Sequence, residues 1–234
     1  LNRGPVKTKA IVLKEVQLRE ADKILVCLSA ELGKFSVSAR GVKSQKSKNI
    51  AACSFLVYSE MVMYSSRDMY SLSQSDVIES FYPIRNDIVR LTYASYFADI
   101  LLDCVQENDE SQSVLRLFLN TLYYLMDNSI DPGYLATLFE LRLLKYIGFT
   151  FNASRHCSKC NKEGVTHVSI GKGGFICRDC HDNSSLKVSE KTIDIIEMVL
   201  KLPLKKAFEF KPDKKDIEEV RKISVKFLTA CLDK

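Results

Sequence analysis

The chain has 234 residues, 46% hydrophobic and 27% charged, a balance that excludes wholesale disorder and fits one or two globular domains. Its longest uncharged apolar runs, such as Leu122 to Met126, fall far short of the roughly 20 residues that cross a bilayer, and no charged-then-apolar leader opens it, so a cytoplasmic protein without membrane contact is expected. The net charge of +5 is uneven, with residues 1–80 at +4, 81–150 at −4 and 151–234 at +5, and basic stretches of this size suit nucleic acid or acidic protein partners.

The first 80 residues carry the period-two signature of short strands. Val6, Thr8, Ala10 and Val12 alternate with Lys7 and Lys9, and the pattern fades at Lys14. Lys23 to Ala30 alternates again, with Ile24, Val26 and Leu28 on one side. After the turn Glu31-Leu-Gly33, Phe35, Val37 and Ala39 alternate with Ser36, Ser38 and Arg40. Phe55 to Tyr64 and Met69 to Ile78 supply two more strands. Five short strands in this span predict a small β-barrel or sandwich, the size of an OB-fold barrel, which an SH3-like barrel would match equally.

From Tyr82-Pro83 the period lengthens to that of helices. Ile84, Ile88, Leu91, Ser95, Ala98, Leu101, Leu102 and Val105 mark one face of a long helix. A second runs from about Ser111 to Met126 on Val114, Leu117, Phe118, Thr121, Leu122 and Leu125. Asp131-Pro-Gly opens a third, with the carboxylate placed to accept the first free amides and Gly148 to end it. Its inner face holds Leu135, Leu138, Phe139, Leu143 and Tyr146, interrupted by Arg142. Two final helices are predicted over 189–202 and 213–232, the first ended by Pro203.

Of eight cysteines, Cys27, Cys53, Cys104 and Cys231 stand singly among apolar neighbours, where a thiol acts as a small hydrophobe. The other four form Cys157-x-x-Cys160, sixteen residues, then Cys177-x-x-Cys180. That spacing fits a tetrahedral zinc site, and the excursion through Val165, Val168 and Ile170 to Gly171-Lys-Gly-Gly174 reads as a zinc ribbon. Four sulfur ligands leave no position for water, which makes one Zn2+ structural rather than catalytic. His156 and His181 flank the knuckles as alternative ligands or as plain loop residues. Gly171–Gly174 is followed by neither Lys-Ser/Thr nor a helix and reads as a hairpin turn, not a phosphate loop.

The segment Ser36 to Asn49 contains Arg40, Lys43, Lys46 and Lys48 and no acid. Cations at this spacing on a serine- and glycine-containing loop can follow a phosphodiester backbone, and Tyr58, Tyr64 and Tyr70 on adjoining strands can stack on unpaired bases. The alternative is a solvated basic loop with its tyrosines in the core.

Taken together, Lys9-Ala-Ile-Val-Leu13, Arg19-Glu-Ala-Asp22, Gly33-Lys34, Ala39-Arg-Gly-Val-Lys43 with Lys46-Ser-Lys48, Phe139 to Lys145 with Gly148-Phe149, and the four cysteines with Gly173-Gly174 resemble the RecO family of bacterial recombination mediators. The resemblance implies an α+β protein: an N-terminal OB-fold barrel over 1–80, a helical domain over 81–156 and 181–234, and an inserted zinc-binding segment over 157–180. It implies a non-enzymatic, nucleoid-associated protein of the RecF repair pathway that binds single- and double-stranded DNA and anneals complementary strands. Together with RecR, such a protein helps RecA replace single-stranded-DNA-binding protein (SSB). Lys34, Arg40, Lys43, Lys46 and Lys48 are then the candidate DNA-binding residues. The acidic, Phe-ended SSB tail would be met on the helical domain, with Arg116 and Arg142 as candidate cations. Some members of the family lack the cysteines, which makes zinc a support for the fold. No nucleotide loop, catalytic carboxylate pair or nucleophile–histidine arrangement stands out. The competing expectation is a zinc-ribbon and barrel accessory factor of transcription or translation that works through protein contacts.

Overall fold

The alternating stretches form β1 (Val6–Gln17), β2 (Lys23–Ser29), β3 (Gly33–Ala39), β4 (Tyr58–Ser66) and β5 (Met69–Glu79) in the computed structural model, which describes residues 4–18, 20–44, 47–66, 69–107 and 110–232. They close into a barrel of order β1-β2-β3-β5-β4, with β4 returning to β1. All pairs are antiparallel except β3 and β5, which run parallel, as an OB-fold requires. Inside lie Ala10, Val12, Leu25, Phe35, Val37, Met61 and Met63, with the thiols of Cys27 and Cys53 among them. Burial pushes both thiols up, Cys53 to about 12, so neither is a thiolate near neutral pH.

Two details depart from simple alternation. β1 continues past Lys14 to Gln17, because a register shift between Val12 and Lys14 inserts a bulge that breaks the period without ending the strand. In β2 the residues turned into the barrel are Leu25 and Cys27, paired with Val37 and Phe35 of β3, while Ile24 and Val26 are only half-buried.

The helical stretch beginning at Tyr82 is two elements, not one: a single turn α1 (Tyr82–Arg85), then α2 (Ile88–Cys104). Asp87 separates them by accepting the amides of Val89 and Arg90 as an N-cap. Ile88 consequently sits in the first exposed turn at 76% exposure, and the buried face of α2 is Arg90, Ala94, Phe97, Ala98, Ile100 and Leu101. α2 packs on β1, which explains why Ile11 and Leu13 on the barrel's outer face are buried too. α3 (Gln112–Leu125) buries every apolar position its period predicts, and Arg90 donates to the Leu125 carbonyl at its end. The barrel and α1–α3 belong to one compact unit, Leu1–Met126.

The second unit, Asp127–Lys234, is built on α4 (Pro132–Tyr146), which Asp131 caps through the Tyr134 amide. Rather than one apolar face, α4 buries Tyr134 to Leu144 without interruption, since α5 (Glu190–Lys201), α6 (Leu204–Glu209) and α7 (Lys214–Leu232) all pack on it. Glu140, fully buried, receives Arg221 of α7 at 3.1 Å and the Ser224 hydroxyl. α6 is a six-residue helix between Pro203 and Phe210, too short to announce itself by period. Among the described residues, no helix is long and apolar enough to cross a membrane.

Candidate metal centre and nucleic-acid interface

Between α4 and α5 the chain folds as a three-stranded ribbon: β6 (Val165–Ser169), β7 (Gly174–Cys177) and β8 (Leu186–Lys187), in the order β7-β6-β8. The first knuckle turns tightly, with Asn161 at φ 60° donating to the Cys157 carbonyl and Cys157 donating to Lys162. The second knuckle is the end of β7 plus a single 3-10 turn, Arg178–Cys180. The sulfurs of Cys157, Cys160, Cys177 and Cys180 lie within 4.8 Å of one another, and this is the cluster able to hold a metal ion among the described residues.

The donor chemistry fits a divalent cation. Burial opposes ionisation of Cys157, but backbone hydrogen bonds from Cys177, Cys160 and Lys159 bring its pKa down to about 6. Burial and the neighbouring sulfurs push Cys180 up to about 12. A thiolate at Cys157 thus opposes ionisation of Cys180, and a cation at the centre offsets that repulsion. The flanking histidines lie outside the cluster. His156 faces Glu163 at 3.6 Å, and His181 stacks on His167 at 4.6 Å between ring centroids.

Three contacts that local spacing does not announce hold the ribbon to its helices. Phe151 packs edge-on between Phe175 of β7 and Phe227 of α7, at 5.3 and 5.6 Å. Asn152 donates to Gly173 at 2.7 Å and sits against Gly174. Arg155, two residues before the first ligand, meets Glu190 at 2.9 Å, Asp194, and Glu197 at 3.5 Å, all on α5. At Gly174 a Cβ would come within 2.5 Å of the Ser158 hydroxyl and 2.6 Å of the Asn152 carbonyl. Gly174→Ala is therefore expected to cost about 1–3 kcal/mol by overpacking, read as a lower melting midpoint.

In the barrel unit, the segment after β3 leaves the sheet at Gly41, whose amide donates to Asp22 at 2.7 Å. Asn49 pins it to β5, accepting from the Ser75 amide and hydroxyl and donating to the Ser73 carbonyl. Glu15 holds the Phe55 amide at its far end. Arg40, Lys43 and Lys48 are exposed along it, and Lys43 reaches Gln17 at 2.6 Å. Lys46, like Arg19, lies outside the described residues. Lys34 is half-buried and donates to the Leu102 carbonyl at the end of α2. The three tyrosines differ: Tyr64 is 47% exposed, Tyr58 is half-buried, and Tyr70 packs edge-on against Phe35 of the core.

Of the candidate cations for a peptide tail, Arg116 is exposed on α3. Arg142 is buried on α4, where it donates to the Leu202 carbonyl, and its Nε has no hydrogen-bond partner among the described residues. They belong to different units.

A closed five-stranded barrel is thus followed along the chain by helices that carry a cysteine ribbon. The family described as Recombination protein O N terminal matches residues 4–81, and Recombination protein O C terminal matches residues 85–234. The DNA repair protein RecO of Acetivibrio thermocellus is 37% identical over 233 residues, covering 98% of this chain and 92% of that protein. Those of Clostridium novyi and Caldicellulosiruptor bescii are each 29% identical, covering 97% and 98% of this chain and 90% and 94% of their own lengths. The chain belongs to the RecO family of DNA repair proteins.

Proposed function

We propose that this protein is a non-enzymatic mediator of recombinational repair in the cytoplasm, at the nucleoid. In this reading it binds single- and double-stranded DNA, anneals complementary strands, and with RecR helps RecA load onto SSB-coated DNA. The observation that carries the reading is family membership along nearly the whole chain, and the exposed Arg40, Lys43 and Lys48 on a pinned loop beside the barrel support it. Annealing needs neutralised phosphates and accessible bases, not bond chemistry, and this loop with the exposed Tyr64 offers both. Zn2+ is the ion proposed for the four sulfurs, since four thiolates in tetrahedral spacing suit it, and its role is to hold the ribbon.

The test is annealing of complementary oligonucleotides coated with SSB. The wild-type chain is expected to accelerate duplex formation without nucleotide hydrolysis, and no acceleration would reject the reading. For the loop, Arg40→Ala with Lys43→Ala removes two phosphate contacts. The log–log salt dependence of single-strand binding should then flatten by about 1.4. An unchanged slope would leave the loop as a solvated surface.

The SSB tail is proposed to meet the helices, with Arg116 or Arg142 receiving its carboxylate. Titration of a tail peptide should lose affinity in Arg116→Ala or in Arg142→Ala while the helical circular dichroism stays intact. Wild-type affinity in both would remove these residues from recruitment.

A further inference from the structure

Charge counted by unit differs from charge counted along the chain. Leu1–Met126 carries 15 Lys+Arg against 14 Asp+Glu, while Asp127–Lys234 carries 19 against 15, so four of the five net positive charges belong to the second unit. Much of that excess is presented by α7. Two of its three acids face other elements: Asp216 meets Lys191 at 3.5 Å, and Glu219 accepts the Ser189 amide and hydroxyl at 3.0 and 2.9 Å. Glu218 remains exposed, and Glu219 is near enough to Lys222 to feel its charge.

Lys215, Lys222 and Lys226 are exposed, and no carboxylate lies within ion-pair distance of any of them among the described residues. At 3.6 residues per turn, these positions fall within an arc of about 40°, and at 1.5 Å per residue the row is about 16 Å long. It is a straight line of cations on a rigid element. Its other exposed neighbours are Glu218, Val225 and Thr229, and the helix's one aromatic, Phe227, is buried against the ribbon.

We propose that this face of α7 is a second nucleic-acid surface, distinct from the barrel loop, that holds the phosphate backbone of duplex DNA. The proposal rests on the reading of the protein as a strand-annealing mediator. A surface without an exposed aromatic has nothing on which unpaired bases stack, which leaves phosphate contact as its chemistry. A duplex suits a rigid row best, because its phosphates are held in line at about one charge per 1.7 Å of axis. The barrel loop, with Tyr64 nearby, is the surface for unpaired strands, and α7 would retain the duplex that annealing produces.

The test compares two variants of the full chain, Lys215→Ala/Lys222→Ala/Lys226→Ala and Arg40→Ala/Lys43→Ala/Lys48→Ala, on a labelled duplex, on labelled oligothymidylate and on poly-glutamate over a salt series. These lysines are exposed, so wild-type circular dichroism and melting are expected and are checked first. The α7 variant should flatten the duplex slope by about 2.7, three contacts at 0.9 each, and leave oligothymidylate binding near wild type. Duplex binding equal to wild type in the α7 variant, with the barrel variant impaired, overturns the α7 surface and leaves the annealing reading standing. Unchanged duplex binding with lost poly-glutamate binding also overturns it, assigning the face to an acidic protein. Absence of any DNA binding by the wild-type chain overturns both.

Discussion

Replacing Cys157 and Cys160 by serine is expected to release the metal and unfold the ribbon before it alters any DNA-specific property. The ribbon's own core is small, with Val165, Val168, Phe175 and Ile176 its main buried side chains. Metal binding at such a site contributes folding free energy on the order of 10 kcal/mol, far more than those few residues supply. Elemental analysis should find about one zinc per chain in the wild type and none in the double variant. A strong chelator should reproduce the variant's loss of folded yield. Stoichiometric zinc in the serine variant would refute the four-sulfur centre.

The second large effect lies at Glu140. Its carboxylate is fully buried on α4, and Arg221 of α7 reaches it with a side chain 30% exposed. Arg221→Ala withdraws the compensating charge from a carboxylate that cannot reach water, and is expected to cost about 3 kcal/mol. Replacing both residues with apolar ones of similar volume should cost less than the single change, because the desolvation penalty disappears with the pair. Urea denaturation of the wild type, the single variant and the double variant decides this. A loss below about 0.5 kcal/mol for Arg221→Ala would mean that solvent screens the pair as it does at a surface.

Legibility in the sequence followed the range of the interactions. Alternation over five or more residues is a local property, and it located all five strands of the barrel. The bulge between Val12 and Lys14 was hidden because its cause, the pairing register with β2, lies in another strand. Asp87 broke the first helix at a position where apolar spacing continues on both sides, so the period could not reveal it. The four cysteines were legible because two short spacings suffice to assemble them. Their supports were not: Phe151 meets Phe227, and Arg155 meets α5, across long stretches of chain that no motif connects. The charges of the basic loop could be read, but the exposure of Arg40, Lys43 and Lys48 depends on how Asn49 and Glu15 hold the segment. Lys34 shows the converse, a cation next to that loop whose ammonium goes to a helix carbonyl.

Among the described residues, the parallel joint between β3 and β5 rests on two register pairs, Val37 with Tyr70 and Ser38 with Ser71, whereas β2 and β3 share seven. A cylinder closed by a short seam is expected to open there first, since few backbone bonds must part for the wall to separate. Amide protons whose hydrogen bonds cross the β3–β5 seam should exchange before those along the middle of β2 in hydrogen–deuterium exchange. The segment carrying Arg40 and Lys43 departs from the same strand, directly beyond that seam. Transient gaping would thus widen the barrel wall beside the loop's cations, giving an incoming strand a yielding edge rather than a fixed groove.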